Sequence, residues 1–170
     1  KEAGYQMYLN PGCRYVAVNA LPSPNAYESG PVGEIYFRFY QYLPDIDQYV
    51  DTRLNRGIYP PEYLHANLVF LKEQADRAVR YGLTPGMQVA NPRSAPESFF
   101  QRYPYLRGAR IDHTFRCYEP RYTMTLAHPI VRCHYATLLE KLLSECSDIG
   151  FLSTLSNDSA SGFEYTESVY

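Results

Sequence analysis

Short apolar runs alternating with longer amphipathic stretches set the pattern of this chain. Tyr15 to Leu21 is an apolar run between Pro11-Gly12 and Pro22-Ser23-Pro24, which marks a strand delivering its C-terminal end into a loop. A polar loop through Asn25, Glu28, Ser29 and Gly30 follows, and then a β-prone aromatic stretch from Ile35 to Tyr42. After Pro60-Pro61 the period changes. Leu64, Leu68, Leu71, Ala75, Ala78 and Val79 recur at steps of three and four, Lys72, Glu73, Asp76 and Arg80 take the other face, and Gly82 stands where a helix would be capped. Met87-Gln88-Val89-Ala90 predicts the next strand, which Asn91-Pro92-Arg93 ends.

A smaller helix or turn is expected around Pro96 to Arg102, and a short strand from Ala109 to His113. His128-Pro129 opens a second strong helix with Val131, Tyr135, Leu138, Leu139, Leu142 and Leu143 on one face. Ile149 to Leu155 reads as a further buried strand. This alternation predicts right-handed βαβ units and a parallel sheet, whose ligand site lies at the C-terminal ends of the strands. No Gly-x-Gly-x-x-Gly or Gly-x-x-x-x-Gly-Lys follows any strand, so a nucleotide-binding sheet loses its main sign and a barrel is favoured. Four or five strands fall short of a closed barrel, which takes roughly 250 residues. The expected fold is therefore α/β: a partial (β/α)8 (TIM-type) barrel with parallel strands, a fragment or half barrel, with residues 1–170 as one incomplete barrel segment. Lys1 in place of an initiator Met points the same way, to processing or truncation, and another chain completing the barrel is the alternative.

Composition narrows the function classes. With 45% hydrophobic and 20% charged residues, the 170-residue chain can bury the core of an ordinary globular domain. A net charge of -2 with scattered basic residues argues against nucleic acid as partner, and no apolar stretch approaches the roughly 18 residues that a membrane span needs. Export and a cytoplasmic location both stay open. Cys13, Cys117, Cys133 and Cys146 match no CxxC knuckle and are expected mainly as buried thiols, with one disulfide as the alternative in an exported protein. The 18 Tyr and 8 Phe, without Trp, suit half-buried strand and loop positions, or a surface that stacks on sugar rings or on another protein.

Candidate chemistry collects where strands end. Asn19, then Asn91 and Arg93, then Asp112 and His113, then Asn157 and Asp158 would converge on one barrel mouth, although Asn and Asp after a strand also serve as turn residues or helix caps. Glycosidic cleavage uses two carboxyl groups, one a proton donor and the other a nucleophile or base. Asp158 and Glu164, in a loop with Ser159, Ser161 and Gly162, are the candidate pair. Arg93, Arg116 and Arg121 have the fork that grips a carboxylate, or else form ion pairs. His65 and His134 fall within helices and are expected to be structural or exposed. No His/Cys spacing supports a metal, no Gly-x-Ser-x-Gly elbow supports a serine hydrolase, and no cofactor is implied.

Several longer motifs carry a resemblance. Asn19-Ala20-Leu21-Pro22-Ser23-Pro24-Asn25 with Glu28-Ser29-Gly30-Pro31-Val32-Gly33, Pro92-Arg93-Ser94, Ile111-Asp112-His113, Pro120-Arg121-Tyr122-Thr123, Ala127-His128-Pro129, and Ser156-Asn157-Asp158-Ser159 through Gly162-Phe163-Glu164-Tyr165 together resemble a group of bacterial glycoside-hydrolase-like (β/α)8 proteins, distantly similar to the hexosaminidase and α-glucuronidase barrels. The resemblance implies a barrel with Asn157, Asp158 and Glu164 after about the fourth strand, where related barrels keep the acid/base. The expected function is a glycoside hydrolase, or a fragment of one, acting on a carbohydrate. A non-catalytic carbohydrate-binding or assembly module is the alternative. Substrate contacts are expected from Asn19, Asn91, Arg93, Asp112, His113, Arg121 and Asn157.

Overall fold

The computed structural model of the chain describes residues 14–20, 44–90, 94–110 and 122–155. In chain order the strands are β1 Tyr15–Ala17, β2 Thr84–Ala90, β3 Ser94–Ala95, β4 Arg107–Arg110, β5 Tyr122–Met124 and β6 Phe151–Leu155. The helices are α1 Pro61–Arg80, α2 Glu97–Arg102 and α3 Pro129–Glu145, with short 3-10 turns at Val18–Ala20, Ile46–Gln48 and Pro104–Leu106.

β1, β2 and β6 form a parallel sheet in that order, with Ala17 beside Gly86 and Ala90 beside Leu155. The sheet is parallel because a long helix precedes both β2 and β6, long enough to carry the chain back to the same end of the sheet. α1 starts on Pro61, whose missing N–H costs nothing in a first turn. It ends as the glycine spacing predicts. Gly82 takes a φ of +70°, its N–H donates to Val79 O at 2.9 Å, and Leu83 N–H donates to Ala78 O at 2.9 Å. This is the paired-bond C-terminal cap that only a left-handed residue can close. α3 opens with His128 as its cap, Nδ1 accepting from Ile130 N–H at 3.2 Å.

Both long helices are rotated from the expected faces. α1 buries Tyr63, Asn67, Leu71, Gln74, Ala75 and Ala78, and Val79 is 48% exposed. α3 buries Val131, His134, Leu138 and Leu142, and Leu143 is 37% exposed. In each helix a polar residue, Asn67 or His134, occupies the stripe because a partner in segment 44–59 receives it. The main core lies between the parallel sheet and these helices, where Leu71, Ala75 and Ala78 meet Leu138, Leu142 and Met87. Lys72 Nζ reaches Glu145 Oε2 at 2.7 Å, tying α1 to α3 at the surface.

On the other face of the sheet, Phe151 lies over Gly86. A Cβ at that glycine would clash with the ring carbons, and Tyr15 meets Phe151 edge-to-face at 5.6 Å between centroids.

β3, β5 and β4 form a second sheet, and it is antiparallel. The strand expected from Ala109 to His113 was placed with the parallel set. Its described part, β4, pairs instead with β5 across a bulge between Arg107 and Arg110. β3 and β4 both run antiparallel to β5, which lies between them, so residues 96–106 with α2 join two strands that point the same way. Gly108 lets the backbones close, since a Cβ there would stand 2.9 Å from Thr125 N. Phe99, Phe100, Leu106, Met124 and Val131 fill a second core. Over it the Arg107 guanidinium stacks 4.7 Å from the Phe100 ring centroid and 4.6 Å from that of Tyr122, while bonding both oxygens of Glu97.

The chain is thus mixed α/β with a small parallel sheet. Among the described residues the six strands make two open three-stranded sheets and no closed barrel. Of the thiols, Cys146 is buried and Cys133 is exposed on α3; both are free. Cys13, Cys117 and the aromatic stretch from Ile35 to Tyr42 lie outside the described residues.

Candidate functional site

Three strand ends of the parallel sheet leave at one edge. Ala90 and Leu155 are the last paired residues of β2 and β6, and Asn91 and Ser156 follow them in sequence. On β1 the chain turns off at Val18–Ala20, and Asn19 performs a bracing task there. Its Nδ2 donates to Gln88 O at 2.6 Å and its Oδ1 accepts from Gln88 N–H at 2.7 Å. The side-chain amide thereby stands in for a peptide group and continues the pairing that β1 has given up. At 4% exposure, Asn19 presents nothing to a ligand, so its expected role in substrate contact becomes one of positioning the edge.

Asn91, Arg93, Asp112, His113, Arg121, Asn157, Asp158 and Glu164 lie outside the described residues. Asp112 and His113 follow β4 in sequence, and that strand pairs in the antiparallel sheet and not in the parallel one.

A second site, with no counterpart among the expected residues, is built by segment 44–59. This stretch has little regular structure, yet Asp45, Asp47, Gln48, Thr52 and Asn55 are buried in it and paired. Asp45 caps the turn Ile46–Gln48, accepting from Ile46 N–H, while Gln48 Oε1 accepts from Asp45 N–H, both at 2.9 Å. Gln48 Nε2 donates to Tyr63 Oη at 3.1 Å, and Asn67 Nδ2 donates to Gln48 O at 3.0 Å, so α1 holds the turn by two side chains. Asn55 accepts from Thr52 N–H at 2.7 Å and donates to Asp47 O at 3.3 Å; Tyr59 Oη donates to Asp47 Oδ2 at 3.3 Å. From α3, His134 Nδ1 meets Thr52 Oγ1 at 2.7 Å. Burial without a compensating charge pushes His134 down to about 4, so the ring is neutral near pH 7. Its Nε2 has no hydrogen-bond partner among the described residues.

Between this segment, α1 and α3 lies an open cleft of about 520 Å³, a size that small-molecule sites commonly have. Tyr49, Tyr59, Leu64 and Leu68 supply its apolar wall, and Asp51, Arg56, Lys141 and Glu145 its charged rim. Gly57, with a φ of +76° and open space where a Cβ would stand, turns the chain at the lip. Arg56 Nε donates to Asp51 Oδ2 at 3.1 Å, and Lys141 Nζ donates to Asp51 O at 2.6 Å. The Lys72 ammonium holds the Glu145 carboxyl below the usual carboxylate range, so this rim carboxylate is ionised near neutral pH and is no proton donor. The clue in the sequence was the alternation of Asp45, Asp47, Gln48, Thr52 and Asn55 with Tyr49, Val50 and Tyr59, too polar for a strand and too aromatic for an ordinary loop.

Among the described residues no group of three or more His, Cys, Asp or Glu could hold a metal ion, and no helix is long and apolar enough to cross a membrane. No family model, curated protein or solved structure matches the chain.

Proposed function

We propose that the C-terminal edge of the parallel sheet is the carbohydrate site of a glycoside hydrolase. Asp158 and Glu164 form the carboxyl pair that cleaves the glycosidic bond, while Asn91, Arg93 and Asn157 bind the sugar's hydroxyl or carboxylate groups. The observation that carries this reading is the shared exit of β2 and β6. Ala90 and Leu155 are paired neighbours, and each is followed in sequence by the polar residues nominated for the site. Parallel α/β sheets bind ligands at that edge because loops there are free to vary over a fixed scaffold. The strand order β1-β2-β6 follows the chain without reversal, with α1 and α3 side by side; this supports taking the sheet as an arc of a (β/α)8 barrel.

The test is single substitution, Asp158→Asn and Glu164→Gln, in the full-length protein, with release of reducing sugar from a panel of oligosaccharides as readout. Each variant is expected to lose about 10²- to 10⁴-fold in rate, the usual worth of a positioned acid or base. Undiminished release by both would overturn the proposal. Glycan binding without product from the unsubstituted protein would make the edge a recognition module instead of a catalytic one.

A further inference from the structure

The cleft beside segment 44–59 shares no residue with the sheet edge, and its chemistry is different. Its wall is aromatic and aliphatic: Tyr59 is almost fully buried with its hydroxyl engaged by Asp47, and Leu64 and Leu68 close the side toward α1. Its rim carries both signs. Arg56 and Lys141 both lean on Asp51, so two positive charges meet that carboxylate, while Glu145 pairs with Lys72 from outside the lining.

The way Arg56 meets Asp51 matters most. The carboxylate takes Nε alone, at 3.1 Å, and among the described residues neither terminal nitrogen of Arg56 has a partner. A guanidinium bonded through Nε keeps its two terminal nitrogens available, and these donors are able to grip an oxyanion in a bidentate manner. Asp51 fixes the side chain beside the cleft, which lowers the entropy lost when an anion binds. Lys141, bonded to the Asp51 carbonyl and 3.6 Å from its carboxylate, adds a second positive charge at the rim.

We propose that this cleft binds a small amphipathic acid. Its apolar body lies against Tyr49, Tyr59, Leu64 and Leu68, and its carboxylate or equivalent oxyanion rests on the terminal nitrogens of Arg56 with Lys141 alongside. A neutral sugar does not fit this chemistry, because the wall offers few hydrogen-bonding groups, and a cation finds the Asp51 and Glu145 carboxylates already paired with Arg56, Lys141 and Lys72. The acidic head and the apolar body are both required, since an exposed guanidinium in water holds a bare anion only weakly.

The experiment compares two fluorescent probes that share an aromatic body and differ in charge: 1-anilinonaphthalene-8-sulfonate, and the neutral N-phenyl-1-naphthylamine. Both are titrated into the full chain. The sulfonate is expected to saturate at one site per chain. Arg56→Gln is expected to weaken it about five- to tenfold, the scale of one charge-assisted contact at a partly exposed site, with Arg56→Lys recovering only part of the loss. The neutral probe should bind Arg56→Gln and the unsubstituted protein alike, and Leu68→Gln should weaken both probes. Arg56 is 68% exposed at its side chain, so its replacement leaves the core untouched. No saturable sulfonate binding, a sulfonate affinity indifferent to Arg56→Gln, or an equal loss of both probes in Arg56→Gln would each overturn the proposal. None of these outcomes bears on sugar release through Asp158 and Glu164.

Discussion

Between the parallel sheet and its two long helices the contacts are methyl, methylene and thioether groups: Leu71, Ala75 and Ala78 against Met87, Leu138 and Leu142. Segment 44–59 gives Ile46, Tyr49 and Val50 to the same core, but what sets it apart is its buried amides, hydroxyls and a carboxylate, each aimed at a named partner on α1, on α3 or within the segment. The first region gains stability in proportion to the apolar surface it hides and tolerates small shifts in angle. The second gains little from each bond but suffers heavily when one partner is removed, because the other is then stranded away from water. The difference teaches where shape is specified. The sheet and helices supply a platform, and the polar network fixes one conformation of the wall that faces the cleft.

Three measurements sharpen or break this contrast. The largest effect is expected in the apolar region. Leu138→Ala removes a fully buried side chain at the junction of both helices and the sheet, and urea unfolding should show a loss of about 2–5 kcal/mol. Next comes acid. His134 must stay neutral when folded, and its value of about 4 lies below the 6.5 of an exposed imidazole. Its contribution is therefore fully present above pH 6.5 and is lost as pH falls from 6.5 toward 4, amounting to about 3 kcal/mol at the acid end. Urea midpoints across that window should fall for the unsubstituted protein, and fall less for His134→Leu; equal slopes would mean the ring does not resist protonation. The smallest effect tests the network by itself. Asn55→Ala strands Thr52 N–H and Asp47 O, and a loss of about 1–3 kcal/mol is expected in the same unfolding assay. A loss below about 0.5 kcal/mol, the size of an ordinary surface change, would show that the segment is held by its tyrosines and not by its polar bonds.

The parts of the fold legible in the sequence were those built on repetition. Leu71, Ala75 and Ala78 at helical spacing announced α1, Gly82 announced its end, and the apolar runs around Val16, Met87 and Leu152 announced three parallel strands. What stayed hidden depends on partners far away in the chain. Asn67 and His134 read as breaks in a stripe until Gln48 and Thr52 are seen against them. The antiparallel sheet was concealed because β5, the strand that both β3 and β4 pair with, is only three residues long and follows them in sequence, and no strand was expected there. Asn19 shows the same limit within the candidate site. Placement after a strand drew attention to it correctly, but the choice between ligand and brace is made by Gln88, 69 positions later. The cleft had no motif at all, since Arg56, Lys141 and the tyrosines are brought together by packing alone.

Asn19 has a consequence for how this protein can change over generations. Because its amide completes the pairing of Gln88, the sheet edge is finished before the chain departs at residue 20. Replacing Asn19 would leave Gln88 N–H and Gln88 O without this pairing, so the position should vary little among descendants of this chain.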